Sequence, residues 1–361
     1  MPSAQADINT MPNKIVLFAP NVHVGGGFVL LESLLSAWTA ETPLFAVLDA
    51  RARSRLHLAE NINVLQWVHP TLVSRLHAEW TLRLASAAGD EVLCFHGLPP
   101  LLSNAARCTV FLQNRLYFGL TPLSMFSRHT ALRLMVERFL SRYLRARVAA
   151  YLVQTPSMQA DLVQWYTQGN ATARQPAVGV LPFVAQLPTS GLEPSRPAPE
   201  WDFVYVADGE AHKNHARLLA AWRLLAQRGL RPRLALTLSE RNGELALAVQ
   251  SMNAECGAEV HNLGQMPHAQ VLQLYRRSGA LIFPSLTESF GLPLLEAQQL
   301  GLPILAPELD YVRDVCEPVQ TFDALSPQSI ARAVQRFLKQ PEPGLKILSA
   351  TDFWQKFLSG R

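Results

Sequence analysis

The chain has 361 residues, 49% hydrophobic and 17% charged, with a formal net charge of +4. That length and apolar content can fill two cores, and so small a charge excess calls for no nucleic-acid partner. Cys94, Cys108, Cys256 and Cys316 are widely spaced with no C-x-x-C pair, which speaks against a zinc site or disulfide framework and for a reducing cytosol.

Residues 1–13 are polar and aperiodic, the composition of a disordered leader. Residues 14–19 (KIVLFA) form a short buried strand. A glycine-rich loop over 20–27 follows, then a helix over 28–39. Gly25, Gly26 and Gly27 allow positive φ and close approach of a ligand to the backbone. Further strands are expected at 44–48, 91–95, 109–113 and 147–153; Asp49, His96 and the pair Asn114 and Arg115 stand at or beside three of their ends. Between 128 and 147, six arginines accompany one glutamate. Leu132, Met135, Phe139 and Tyr143 share one helical face there, and Arg138, Arg142 and Arg145 another. Such a helix either packs on the core with a basic face in solvent or rests on anionic lipid headgroups. No N-terminal signal pattern and no run of roughly 18–20 apolar residues appears, so the expected location is cytoplasmic.

Residues 187–201 (LPTSGLEPSRPAPEW) read as a proline-rich linker. Alternation then resumes with strands at 203–207, 234–238, 260–263, 280–284 and 302–306, and helices at 216–228, 244–253, 269–278 and 329–339. Strand and helix alternating in this way predict an α/β chain of two doubly wound, Rossmann-like domains facing a cleft. In such sheets ligands bind at the carboxyl ends of the strands. Two polar segments fall there. One is DGEAHKNH, residues 208–215. The other is the loop opening FPSLTESFGLPLLEAQQLGLPILAP, residues 283–307, in which Glu288 and Glu296 lie eight apart. Pro293 opens the helix carrying Glu296, and Gly301 with Pro303 stops it. Both acids can therefore face one crevice.

The second string resembles the glutamate, seven residues, glutamate signature of the retaining glycosyltransferases of family 4, which have the two-domain GT-B fold. The resemblance implies an N-terminal acceptor-side domain over 14–186 and a nucleotide-sugar domain over 202–344. It also implies a terminal helix, 345–361, crossing back to the first domain. Glu288 would contact hydroxyls of the donor sugar and Glu296 the ribose, while amides around Ser289, Phe290, Gly291 and Leu292 approach sugar and phosphates. Residues 208–215 resemble the family's phosphate-binding segment, which makes Lys213 the diphosphate cation, flanked by His212 and Asn214. Many relatives have Gly-Arg where this chain has Ala207-Asp208, so the second phosphate-binding cation is missing from its usual place: either a backbone amide, Arg241 or another residue substitutes, or diphosphate binding is weaker. The loop with Gly25, Gly26 and Gly27 would face the donor across the cleft. His96 would touch the donor sugar, and Asn114 and Arg115 would meet an acceptor or a phosphate.

The resemblance implies a hexosyl transferase that moves sugar from a nucleotide-sugar to a glycan or lipid-linked glycan. It implies no cofactor and a setting in bacterial surface polysaccharide assembly, and with no Asp-x-Asp motif at a strand end no obligatory metal is expected. Contact with an anionic membrane through the 128–147 helix would suit such an acceptor. Three alternatives stand beside it: a non-transferring GT-B enzyme (epimerase or phosphorylase), a noncatalytic partner subunit, and an oxidoreductase holding a nicotinamide ribose on Asp49.

Overall fold

A computed structural model describes residues 13–39, 42–118, 122–167, 177–184 and 198–340. The expected leader, apart from Asn13, most of the 187–201 linker and the 345–361 helix lie outside the described residues. Asn13 itself is tied down, its N–H donating to Gly89 O at 3.1 Å.

The first domain runs β1 (Ile15–Ala19), α1 (Gly25–Ser36), β2 (Leu44–Asp49), β3 (Ile62–Val68), α2 (Leu72–Ala85), β4 (Glu91–Cys94), β5 (Arg107–Phe111), α3 (Arg128–Tyr143), β6 (Ala150–Val153), α4 (Pro156–Thr167) and β7 (Ala177–Val180). The second runs β8 (Trp201–Tyr205), α5 (His215–Gln227), β9 (Leu234–Leu236), α6 (Gly243–Cys256), β10 (Val260–Asn262), α7 (His268–Arg276), β11 (Ser278–Ile282), α8 (Leu292–Gln299), β12 (Ile304–Pro307), α9 (Asp310–Arg313), β13 (Gln320–Phe322) and α10 (Pro327–Phe337).

Every strand pairing is parallel, in the orders β3-β2-β1-β4-β5-β6-β7 and β10-β9-β8-β11-β12-β13. The two-domain Rossmann-like architecture is as the sequence predicts. Parallel strands covered by helices on both faces need apolar side chains throughout, which explains runs such as IVLFA in β1 and ILAP in β12. Five of these elements differ from expectation. Helix α1 starts at Gly25, so the glycines form its first turn rather than a loop, entered through Gly25 at φ +67°. The strand β3 and the helix α2 fill a stretch with no predicted element, as do β7 and β13 at the sheet edges.

In the first domain, α1 packs on one sheet face with Leu17, Leu48, Phe95 and Phe111. The other face holds Phe18, Cys94, Cys108 and Tyr151 beneath Ala78 and Leu82 of α2 and Trp165 and Tyr166 of α4. Cys94 and Cys108, far apart in sequence, meet there with sulfurs 3.8 Å apart. In the second domain a single cluster closes around Phe203, Trp222, Tyr275 and Phe283. Each such side chain contributes about 1.5–3 kcal/mol by leaving water, and Trp222 also donates its indole N–H to Pro232 O at 2.9 Å.

Candidate functional site

In each sheet the chain reverses direction of travel beside its first strand, between β1 and β4 and between β8 and β11. Loops leaving two such strands part to opposite faces and open a crevice at their carboxyl ends. In the second domain the loop after β8 carries Lys213 and the loop after β11 carries Glu288. The crevice brings them together: Lys213 Nζ lies 2.7 Å from Glu288 Oε1, with side chains only 19% and 11% exposed. Charges this sheltered attract more strongly than on an open surface.

The loops are laced to each other and to the strands. The Tyr205 hydroxyl donates to Lys213 O at 2.8 Å and lies 3.2 Å from Ser285 Oγ. Tyr311 donates to Ser285 O at 2.7 Å, and the Leu286 N–H donates to His212 O at 2.8 Å. Asn214 sits in the left-handed region at φ +63°. Its amide donates to Pro284 O (3.0 Å) and Ala324 O (2.8 Å), and its oxygen accepts from Arg217. These bonds engage the whole amide of Asn214, so it fixes the loop that carries Lys213. His212 is buried beside Phe126 of the first domain, ring centroids 6.3 Å apart. Burial, with Lys213 nearby, pushes its pKa down to about 4, so it is a neutral imidazole at pH 7.

Helix α8 opens at Gly291, whose φ of +69° bends the chain after Phe290. The first-turn N–H groups of a helix have no intrahelical carbonyl, and their dipoles favour an anion. One turn on, Glu296 Oε1 lies 2.8 Å from Nε2 of His268 at the start of α7. That bond raises the pKa of His268 against the opposing effect of burial. His268, Leu292, Leu295, Glu296 and Gln299 line a small cavity that Val29 and Val184 of the first domain close.

The first domain meets this loop directly. A Cβ on Gly26 would lie 2.7 Å from Leu292 Cδ1, so Gly26 lets α1 come up against the start of α8. Gly27 is close to Gln113, its Cβ position 3.1 Å from Oε1. Arg115, beyond β5, donates its backbone N–H to Ser289 Oγ (2.7 Å) and its guanidinium to Glu288 O (3.4 Å). The same guanidinium bonds Asp161 of α4, with Nε to Oδ2 at 2.6 Å. A second bridge runs from the Ser157 N–H to Asp314 Oδ2 at 3.0 Å. Arg115 is thus a domain-to-domain link, whereas Asn114 caps its own turn by accepting from the Leu116 N–H at 3.0 Å. His96 lies past β4, its Nδ1 3.5 Å from Phe18 O and its ring edge-on to Phe18. Burial pushes its pKa down to about 4 as well.

Asp208 lies in the loop three residues beyond β8. Burial would raise its pKa, but hydrogen bonds from Ser239, Gly209 and Asn242 outweigh this and hold it low. It thereby ties the β8 loop to the turn that holds Arg241, an exposed side chain. Asp49, the acid a nicotinamide reading needs, is buried and occupied by Arg51 through bonds of 2.9, 3.0 and 2.7 Å. Among the described residues no cluster of three or more His, Cys, Asp and Glu could hold a metal. Sequence reasoning missed Tyr205, Ser285, Tyr311, His268, Asp161 and Asp314, whose signal is contact rather than spacing.

Residues 193–349 match the family model of the glycosyl transferases group 1. A serotype-specific mannosyltransferase, WbdA, of Escherichia coli is 31% identical over 143 residues, which are 38% of this chain and 17% of that protein. The chain thus matches less than a fifth of that relative's length. Among solved structures, HepE of Anabaena in complex with UDP-glucose has a TM-score of 0.63 at 15% identity, covering 90% of both chains. A sucrose-phosphate synthase of Thermosynechococcus elongatus gives 0.62 at 16% identity, covering 91% of this chain and 90% of that one. These likenesses show that the two domains and their cleft form the GT-B fold.

Proposed function

We propose that this chain is a retaining hexosyl transferase of family 4, moving a sugar from a nucleotide-sugar to a glycan or lipid-linked glycan in bacterial surface polysaccharide assembly. The observation that carries the reading is the Lys213–Glu288 pair, 2.7 Å apart at the switch point beside the amino end of α8. A donor entering there meets a cation and helix N–H groups at its diphosphate. Glu288 can accept paired hydrogen bonds from sugar hydroxyls, and Glu296 from ribose hydroxyls. Gly25–27 and neutral His96 approach from the facing domain. In the step itself the bond from C1 to the phosphate oxygen breaks and the bond from C1 to the acceptor oxygen forms on the same face. The acceptor's proton passes to the departing diphosphate, so neither glutamate serves as a nucleophile. Lys213 and the amides offset the charge that builds on the leaving group, and this reading assigns no divalent ion.

The WbdA likeness makes a mannosyl donor the first to try. A lipid-linked acceptor would be presented at a bilayer surface, so peripheral, cytoplasmic-side membrane contact goes with that choice. The test is a melting screen against UDP-, GDP-, ADP- and CMP-sugars, with NADH alongside. A ligand that binds only the folded state at about 100 times its Kd adds about 2.7 kcal/mol. One nucleotide-sugar should raise Tm and lose the effect in Glu296→Ala. A rise with NADH and none with any nucleotide-sugar would overturn the reading in favour of a dehydrogenase.

A further inference from the structure

Ten of the nineteen exposed large hydrophobic side chains among the described residues lie on two helices of the first domain. On α2 these are Leu72, Val73, Leu76, Trp80 and Leu84, and on α3 Leu132, Met135, Val136, Phe139 and Tyr143. Their steps of three and four residues make one stripe on each helix. Exposure is high: Leu72 82%, Trp80 54%, Phe139 64% and Tyr143 71%. Helix α3 is turned inside out relative to a core helix. It buries only Leu134 and Ser141. Arg138 Nε donates inward to Leu116 O at 2.9 Å, and Arg142 and Arg145 lie over the rings of Trp165 and Tyr166. The apolar side is left to the outside.

Both helices cover the same face of the first sheet. Ala78 and Leu82 of α2 share a core cluster with Tyr166, whose hydroxyl lies 3.4 Å from Ser141 Oγ of α3. They are also joined at one end: Glu79 of α2 accepts the Leu101 N–H at 2.8 Å, and Arg147, just past α3, donates to the carbonyl of Pro100 at 3.3 Å. Both stripes therefore lie on the outer side of the helical layer of the first domain. The charge on that side has a single sign. Arg83, Arg128 and Arg133 are exposed there, while the one carboxylate on each helix, Glu79 or Glu137, is drawn inward, Glu137 lying 3.9 Å from Arg133.

We propose that α2 and α3 together form a docking platform for an anionic lipid bilayer, with both apolar stripes sunk among the acyl chains and the arginines at the phosphates. Apolar patches of this extent mark interaction surfaces. Trp and Tyr favour the water–lipid boundary, and a stripe flanked only by cations suits an anionic interface. Two copies of the chain meeting by this surface would set arginines against arginines. No described helix is long and apolar enough to cross a membrane, so the contact is peripheral. Exposure and charge alone carry this inference, and vesicle binding can succeed or fail whatever the donor proves to be.

The test is co-sedimentation of the full chain with phosphatidylethanolamine–phosphatidylglycerol vesicles and with pure phosphatidylcholine vesicles, at low and high salt. Binding should favour the anionic vesicles and weaken with salt. Trp80→Ser with Phe139→Ser should lower partitioning by about tenfold or more. Arg128→Gln with Arg133→Gln should lower it by about tenfold. Leu247→Ser, an equally exposed site on α6 of the other domain, should change nothing. Melting curves of all variants should match the parent. Absent or charge-blind binding, or binding untouched by the α2 and α3 changes, would overturn the proposal. A dimer in sedimentation velocity that these changes dissolve, without vesicle binding, would assign the surface to a second copy instead.

Discussion

At the scale of single residues, the Lys213–Glu288 pair separates a structural role from a functional one. Removing one member leaves the other sheltered and unpaired, which costs more than removing both. Lys213→Met and Glu288→Gln should each lower the melting temperature and reduce turnover on the order of a hundredfold. The double variant should recover much of the melting temperature and none of the turnover. Recovery of both would make the pair purely structural. His268 offers a second reading through pH. Its folded pKa is raised above 6.5 by the bond to Glu296. The stability this bond contributes is full below 6.5 and lost as pH rises through the raised value. Nucleotide affinity measured by calorimetry should weaken over the same window, because Glu296 loses the partner that orients it. In His268→Gln that pH dependence should vanish, and its persistence would detach His268 from the site.

At the scale of elements, the turn after β5 and the start of α8 behave as one unit only while the domains are together. Arg115 holds Glu288 O and Ser289 Oγ from across the cleft and is itself braced by Asp161. Closure that completes a site raises kcat more than affinity. Arg115→Ala should therefore cut kcat by about tenfold while leaving the Kd of the proposed nucleotide-sugar near the parent value. Arg115→Lys should rescue it only in part, since lysine lacks the planar fork. A change in Kd with kcat intact would mean that Arg115 binds donor rather than positions the loop. These particulars show what the sequence carries. The strings 208–215 and 283–307 are legible because each packs its chemistry into one loop and one helix start. Their supports are not, because Tyr205 meets Ser285, and Arg115 meets Ser289, only after parallel strands pair and domains face. A helical wheel gives the faces of α3 but not which one turns inward. Helix α2 hides for a related reason: its apolar stripe at 72, 76, 80 and 84 is the exposed one, and its core contact falls to Ala78 and Leu82.

At the scale of the whole molecule, three histidines at the cleft ends of the strands link folding to acid. His96, His212 and His215 are each pushed down to about 4, with burial the largest cause. Both ring nitrogens of His215 lack a partner, and its ring packs on Tyr205 at 4.9 Å, so an imidazolium there would have no acceptor. In the unfolded chain these groups titrate near 6.5. As pH falls below 6.5 the unfolded chain takes up protons that the folded chain refuses, and stability drops until the folded groups begin to titrate near 4. By pH 5 the loss is on the order of 2 kcal/mol per histidine. The raised pKa of His268 offsets part of this fall, and the lowered pKa values of Asp49 and Asp208 add their own loss only below 3.8. Urea midpoints taken between pH 7 and pH 5 should therefore fall steadily for the full chain. His215→Phe keeps a ring against Tyr205 and removes one titrating group, and should recover about a third of that fall. A midpoint flat across the interval, or a fall the variant leaves untouched, would mean that these imidazoles reach water in the folded state and that the two loops around Lys213 are open where the structure draws them closed.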